Sequence, residues 1–236
     1  GEGDSEIDDI AVDPVGNVFV AGEFSGGLDF PDMSVAPVGA GEDFYVAAFN
    51  AQGIYLGARV FGTTASDTEG IRDMVPDGTG NVIITGRFTA PLDFGTGPLM
   101  PNGEDAYVLK MSSDGEILWV THITGVGAQR PDEVAVGPDG EVIVLGTFST
   151  EININVQVNF AATGGDLFLA RLDGQTGALD WLKPFGDGSD QTRAGEVAVS
   201  SASEIFIATP YSGSVNLGCG QVSGTQSLVV AAFDQV

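Results

Sequence analysis

The sequence predicts an all-β fold, a β-propeller of four four-stranded blades of about 60 residues each, the last lacking its outer strand. Three observations predict it. One turn-and-strand motif recurs four times at intervals of roughly 60 residues, and other features keep step with it on both sides. Helical periodicity is absent, while short apolar and β-branched runs between Gly, Asp and Asn fill the chain.

The motif reads GNVFVAGEF at Gly16–Phe24, GNVIITGRF at Gly80–Phe88, GEVIVLGTF at Gly140–Phe148 and SEIFIATPY at Ser203–Tyr211. Upstream lies a short apolar strand in each copy: Ile10-Ala11-Val12, Met74-Val75, Val134-Ala135-Val136 and Val197-Ala198-Val199. Downstream, at one offset from the closing aromatic, come Leu28-Asp29-Phe30, Leu92-Asp93-Phe94, Ile152-Asn153-Ile154 and Val215-Asn216-Leu217. A third strand starts at Asp43, Asp105, Asp166 and Ser227, and a fourth follows in three copies, around Tyr55–Phe61, Ile117–Ile123 and Leu179–Phe185. The copies span approximately 1–61, 62–124, 125–185 and 186–236, within a single domain over 1–236 or a segment of a larger propeller or array.

A lone four-stranded sheet leaves both faces wet. Stacking such sheets radially buries each face against a neighbour, which is the propeller solution. Ala11, Ala135 and Ala198 suit an innermost strand where blades crowd together. Trp119 and Trp181 share one position of the fourth strand, with Gly57 in the first copy, and read as packing between blades rather than as ligand-stacking platforms.

Composition bounds the partners. Apolar residues make up 43% of 236, enough for a real core, and no apolar stretch approaches the ~20 residues needed to cross a bilayer as a helix. The net charge of −25 repels nucleic acid and anionic lipid and attracts cations or basic partners; it also suits a soluble protein in a salty or extracellular medium. Cys219 is the single cysteine, so no disulfide forms within this sequence. Lacking an initiator Met and a signal peptide, the chain is expected to be processed or excised.

Apolar strand, D-x-x-G-N-V-x-V-x-G-x-F, L-D-F, G-E-D-x-Y-V and Trp-bearing strand together resemble the bacterial SBBP-type β-propeller repeat. The resemblance covers essentially the whole chain and is weakest in copy four, where Ser203, Thr209-Pro210 and Ser227 depart from the pattern. It implies an extracellular or cell-surface bacterial propeller and carries no catalytic residues.

No residue set forms a catalytic or cofactor motif. His122 is the only histidine, lies in an outer strand and has no G-x-S-x-G serine elbow for company, so it reads as structural or exposed. Asp187-Gly188-Ser189-Asp190 resembles a calcium loop only faintly and lacks the remaining ligands. One acidic position does recur in register: Asp9, Asp73, Glu133 and Glu196 each precede the inner strand. In a closed four-bladed ring they would surround one channel mouth, where calcium would relieve their mutual repulsion. Alternatively each carboxylate accepts hydrogen bonds from its own loop's amides. Asp43, Asp105 and Asp166, with Ser227 in copy four, suit turn caps, as do Asp29, Asp93, Asn153 and Asn216.

The expected function is a non-enzymatic extracellular or cell-surface scaffold or binding module. It would take a protein or glycan through the loops at Pro31–Ala40 and Gln157–Thr163, or build a structural assembly. The alternative is a carbohydrate-active enzyme, a polysaccharide lyase or hydrolase with carboxylates at a channel mouth. Neither nucleic-acid binding nor membrane insertion is expected. Copy four stops after its third strand, so further sequence or a strand from a neighbouring chain is expected on its open edge.

Overall fold

The computed structural model describes residues 4–38, 41–63, 69–155, 158–162, 164–186, 194–218 and 220–234. Among them every regular element is a strand. Copy one contributes β1 (Asp9–Val12), β2 (Val18–Phe24), β3 (Leu28–Asp29), β4 (Ser34–Val35), β5 (Asp43–Phe49) and β6 (Tyr55–Phe61). Copy two contributes β7 (Glu69–Pro76), β8 (Asn81–Phe88), β9 (Leu92–Asp93), β10 (Pro98–Leu99), β11 (Gly103–Ser112) and β12 (Ile117–Thr124). Copy three has β13 (Gly127–Val136), β14 (Val142–Phe148), β15 (Glu151–Ile154), β16 (Val158–Ala161), β17 (Asp166–Leu172) and β18 (Leu179–Phe185). Copy four has β19 (Glu196–Val199), β20 (Ile205–Asn216) and β21 (Gln221–Phe233).

Within each copy the strands pair in the order the repeat predicts, β1-β2-β5-β6, β7-β8-β11-β12, β13-β14-β17-β18 and β19-β20-β21, and short pairings of β11 with β13 and of β12 with β15 join copies two and three into one ten-stranded sheet. Three excursions between second and third strands, expected as loops, carry small hairpins: β3–β4, β9–β10 and β15–β16. In copy four the same excursion merges into the sheet. There β20 and β21 stay paired out to Asn216 and Gln221, past a register shift between Tyr211 and Gly213. Strands of two residues have too little pattern to show in a sequence.

The chain divides into two compact units, one of residues 1–101 and 107–120, the other of 102–106 and 121–236. Period-two alternation gives each sheet two apolar faces. In the first unit Ala11, Phe19, Phe44 and Val46 of copy one pack on Val82, Ile84, Tyr107 and Leu109 of copy two, all buried. In the second, Ile143, Leu145, Leu167 and Leu169 of copy three meet Ile205, Ile207 and Val229 of copy four. These positions correspond in register: the forward face of one copy lies on the rear face of the next in both units. Each large side chain so buried contributes about 1.5–3 kcal/mol, which is what holds the sheets together.

Polar ties follow the same rule. Arg59 Nε on the fourth strand of copy one donates to the Gly115 carbonyl in a turn of copy two, at 2.7 Å. Thr121 Oγ1, at the matching position, donates to Gly177 O at 2.6 Å. Trp181 packs between copies three and four, as expected of that position, and Trp119 is buried. Ala11 is buried on the inner strand, but Ala198 is exposed.

Two local rules explain why the motif recurs. The glycine near its end lies under an aromatic ring of the third strand: Gly22 pairs with Tyr45 and Gly146 with Phe168. A Cβ on Gly22, Gly86 or Gly146 would collide with that ring and with a neighbouring carbonyl. The turn that opens the motif is closed by a carboxylate. Asp13 and Asp77 each accept the amides at the second and fourth residues after them, and the Asn17 or Asn81 side chain. Burial opposes the charge of Asp77. Hydrogen bonds from Asn81, Lys110 and Thr79 outweigh it and hold its pKa below the usual carboxylate range.

Candidate functional site

Of the four acidic positions expected to form a ring, Asp9 and Asp73 belong to one unit and Glu133 and Glu196 to the other. The structure brings Asp9 and Asp73 onto one donor: Met74 N–H reaches Asp9 Oδ2 and Asp73 Oδ1, both at 2.8 Å. Asp9 Oδ1 takes its own Ile10 amide at 2.7 Å. Both Asp9 oxygens therefore hold main-chain amides, and the carboxylate ties the inner strand of copy one to that of copy two. Copies three and four share a tie of the same kind at a different register, from Ala194 N, two residues before β19, to Asp132 Oδ2 at 3.0 Å. Among the described residues no three His, Cys, Asp or Glu side chains are grouped so as to hold a metal ion.

The third-strand aspartates divide. Asp43 Oδ2 accepts Val38 N at 2.5 Å, the loop-capping role expected of it. Asp105 does something else: it is fully buried, and its Oδ2 meets His122 Nε2 at 2.7 Å. In copies one and three the position facing this aspartate is Gly62 or Gly186, where a Cβ would collide with the carboxylate. Copy two has Thr124 there and supplies His122 as partner instead. The histidine is thus structural, and its partner was the residue that sequence pattern assigned to a turn. Asp93 and Asn216 keep that assignment, accepting the amides of Gly95 and Gly97, and of Gly218 and Gly220. Cys219 and the Asp187–Asp190 stretch lie outside the described residues.

The sequence pattern missed a cleft in copy one. The segment before β1 runs antiparallel to the end of β2, with Glu6 N bonded to Glu23 O at 3.0 Å and Ser25 N to Asp4 O at 2.9 Å. This extension places Asp4, Ser5 and Glu6 beside Glu23 and Glu42 around a cavity of about 340 Å³. Glu23 reaches across to Gly70 of copy two, where any side chain would collide with its carboxyl. Burial, then the nearby Asp8 and Glu42 charges, raise the Glu23 pKa to about 7, with Arg72 opposing. Burial and the Glu6 charge push Asp8 up as well. Glu23 is therefore about half protonated at neutral pH beside carboxylates that are exposed at the rim.

These residues escaped a search for recurrence because, apart from Glu42, which Glu104 matches in copy two, they do not recur. Arg87, Thr147 and Pro210 occupy the place of Glu23 in the other copies. The signal available was the density of acids ahead of the first inner strand. A second cavity of about 400 Å³ in this unit has Phe61 and Phe94 at its floor and Arg59, Asp93 and Glu116 at its rim.

No family model matches the chain, and no curated protein matches it.

Proposed function

We propose that the chain is a run of four β-propeller blades serving as a non-enzymatic, extracellular or cell-surface binding module. The observation that carries this reading is the repeated stacking of a forward face on the next rear face, with neighbouring copies tied by Asp9 to Met74 and by Asp132 to Ala194. Blade stacking of that kind leaves loop ends open for ligands. The likeness of the repeat to SBBP-type sequences and the charge of −25 support a secreted setting. The cleft at Glu6, Glu23 and Glu42 suits a basic group on a protein or an amino sugar. Incubating the chain with a glycan array and with a surface-protein extract tests the reading. Retention that Glu6→Gln, Glu23→Gln and Glu42→Gln together abolish supports it, and no retained ligand in either format counts against it.

One observation favours a second reading. A half-buried acid with pKa about 7 beside exposed carboxylates is the pairing an acid–base hydrolase uses. Turnover in a glycosidase and lyase panel, lost in Glu23→Gln, would establish it. Calcium at Asp9, Asp73, Glu133 and Glu196 remains a proposal from their register. A melting temperature indifferent to millimolar calcium and to chelator would remove it.

A further inference from the structure

Residues 57, 59 and 61 share one face of β6, because side chains alternate along a strand. Copies two and three carry Trp119 and Trp181 at the first of these positions. Copy one carries Gly57 there, and a Cβ on it would meet nothing within 4 Å. Along the same face, at Arg59 and Phe61, lies the cavity of about 400 Å³, lined wholly by residues of the first unit. Sites for small ligands span about 300–1,000 Å³. The floor of this one is apolar: Phe61 and Phe94 meet there with ring centroids 5.1 Å apart, and Ile117 packs against the same core. Its rim is charged, and the charges are not spent on one another. Arg59 donates from Nε to Gly115 O at 2.7 Å, while its two terminal nitrogens form no hydrogen bond or ion pair among the described residues. Asp93 Oδ1 accepts the Gly95 and Gly97 amides at 2.7 and 3.0 Å, which fixes the carboxylate and leaves Oδ2 open. Glu116 is held through its main chain, by Ser112, and its exposed carboxylate is open.

We propose that this cavity binds a neutral pyranose ring. Each sugar hydroxyl both donates and accepts, so hydroxyls spaced around one ring can take the Arg59 guanidinium and the two carboxylates together. The C–H face of the sugar lies against the floor of Phe61 and Phe94, since aromatic π-systems favour weakly positive C–H groups. A zwitterionic amino acid matches the rim less well. Its two charges sit on one carbon, whereas the open groups come from β6, the turn after β9 and the residue before β12. An anionic ligand would be repelled by the net charge of −25, and a neutral one is not. The proposal rests on the reading of the chain as a binding module, to which it gives a ligand class, but at a site whose lining shares no residue with the cleft at Glu23.

Titrating the full chain with methyl glucoside, methyl mannoside, methyl galactoside and N-acetylglucosamine, with phenylalanine as the zwitterionic control, tests it by nuclear magnetic resonance. At least one sugar should shift the Gly95, Thr96 and Glu116 amides saturably, and saturation transfer should reach the C–H protons of its ring. A chain with both Asp93→Asn and Glu116→Ala should bind that sugar about tenfold more weakly, because it loses hydrogen bonds to charged groups. Asn216 makes the same two turn bonds in copy four, and Glu116 is exposed, so this variant should fold, which circular dichroism checks. Absence of a saturable shift with all the sugars overturns the proposal. So does binding that the double variant leaves unchanged, or that phenylalanine matches. Shifts confined to Ser5, Glu6 and Glu23 overturn it as well, while sustaining the binding-module reading through the acidic cleft. A chain that binds none of these sugars yet retains a partner from the array or the extract loses this proposal alone.

Discussion

Copies one to three set a glycine beneath an aromatic ring, whereas copy four sets Thr209 opposite Val229. Both members changed together, and the volume lost from the ring is filled by the added side chain. Copy three shows the same economy at its turn. Gly137 replaces the usual aspartate, and Glu141 sends a carboxylate back from the far end to hold the Asp139 amide at 3.0 Å. A Cβ on Gly137 would collide with that carboxylate. In copy four Ser200 Oγ accepts the Ala202 and Glu204 amides in its place. The comparison teaches that the repeat conserves contacts rather than residues, and that its departures come in compensating pairs.

Four measurements break or sharpen that view. The largest effect belongs to copy two, where His122 compensates for the missing glycine. His122→Leu strands the buried Asp105 carboxylate and should cost about 3–5 kcal/mol in urea denaturation. Adding Asp105→Asn should recover part of the loss. A cost near zero would show that the pair is no pair.

Next is Gly86→Ala, which forces a methyl into the Gly70 carbonyl and the Tyr107 ring and should cost about 1–3 kcal/mol. The reverse change in copy four, Thr209→Gly, meets no ring. It should cost only about 0.5–1 kcal/mol, from backbone entropy and lost packing. Equal costs at the two positions would refute the compensation argument.

A smaller gain is expected from Ser203→Gly. Gly16, Gly80 and Gly140 take the left-handed backbone of this turn with φ of 91°, 95° and 81°, and Ser203 takes it with φ 63°. Relieving that strain should stabilise the chain by about 1 kcal/mol, read as a raised melting temperature.

The smallest effect concerns Glu23, whose three counterparts carry no acid. Its folded pKa of about 7 stands above the ordinary 4.5. The proton therefore favours the folded chain, and the contribution is complete below pH 4.5 and lost as pH rises through about 7. Relative to Glu23→Gln, the native chain should lose stability across that window. Parallel pH profiles would mean that Glu23 is not desolvated.

The fold was legible where the sequence repeats. Strand order within all four copies followed from the turn residues and the period-two runs, because local geometry and burial act on the same few positions. The pairing of Asp9 with Met74 was not legible, since it joins residues a whole copy apart through a backbone amide that has no letter of its own. Asp105 was misread because capping a turn and hydrogen bonding to an imidazole ask for the same residue. The cleft at Glu23 was missed for the opposite reason. A search for regularity discards what occurs once, and Glu23, Glu6 and Asp8 have no acidic counterpart in copy two.

The forward-on-rear stacking has a consequence for how the chain comes apart. Each sheet draws its protection from its neighbours, so opening free energy depends on position along the chain, and a sheet with one covered face frays at lower cost than one covered on both. In copy four, Leu228 and Val230 face water while Val229, Ala231 and Phe233 hold the other side. Amides of β21 should therefore exchange with deuterium well before those of β8, whose Val82, Ile83 and Ile84 are all fully buried. Local opening then starts more readily in β21 than in β8, and any partner that covers Leu228 and Val230 raises its cost.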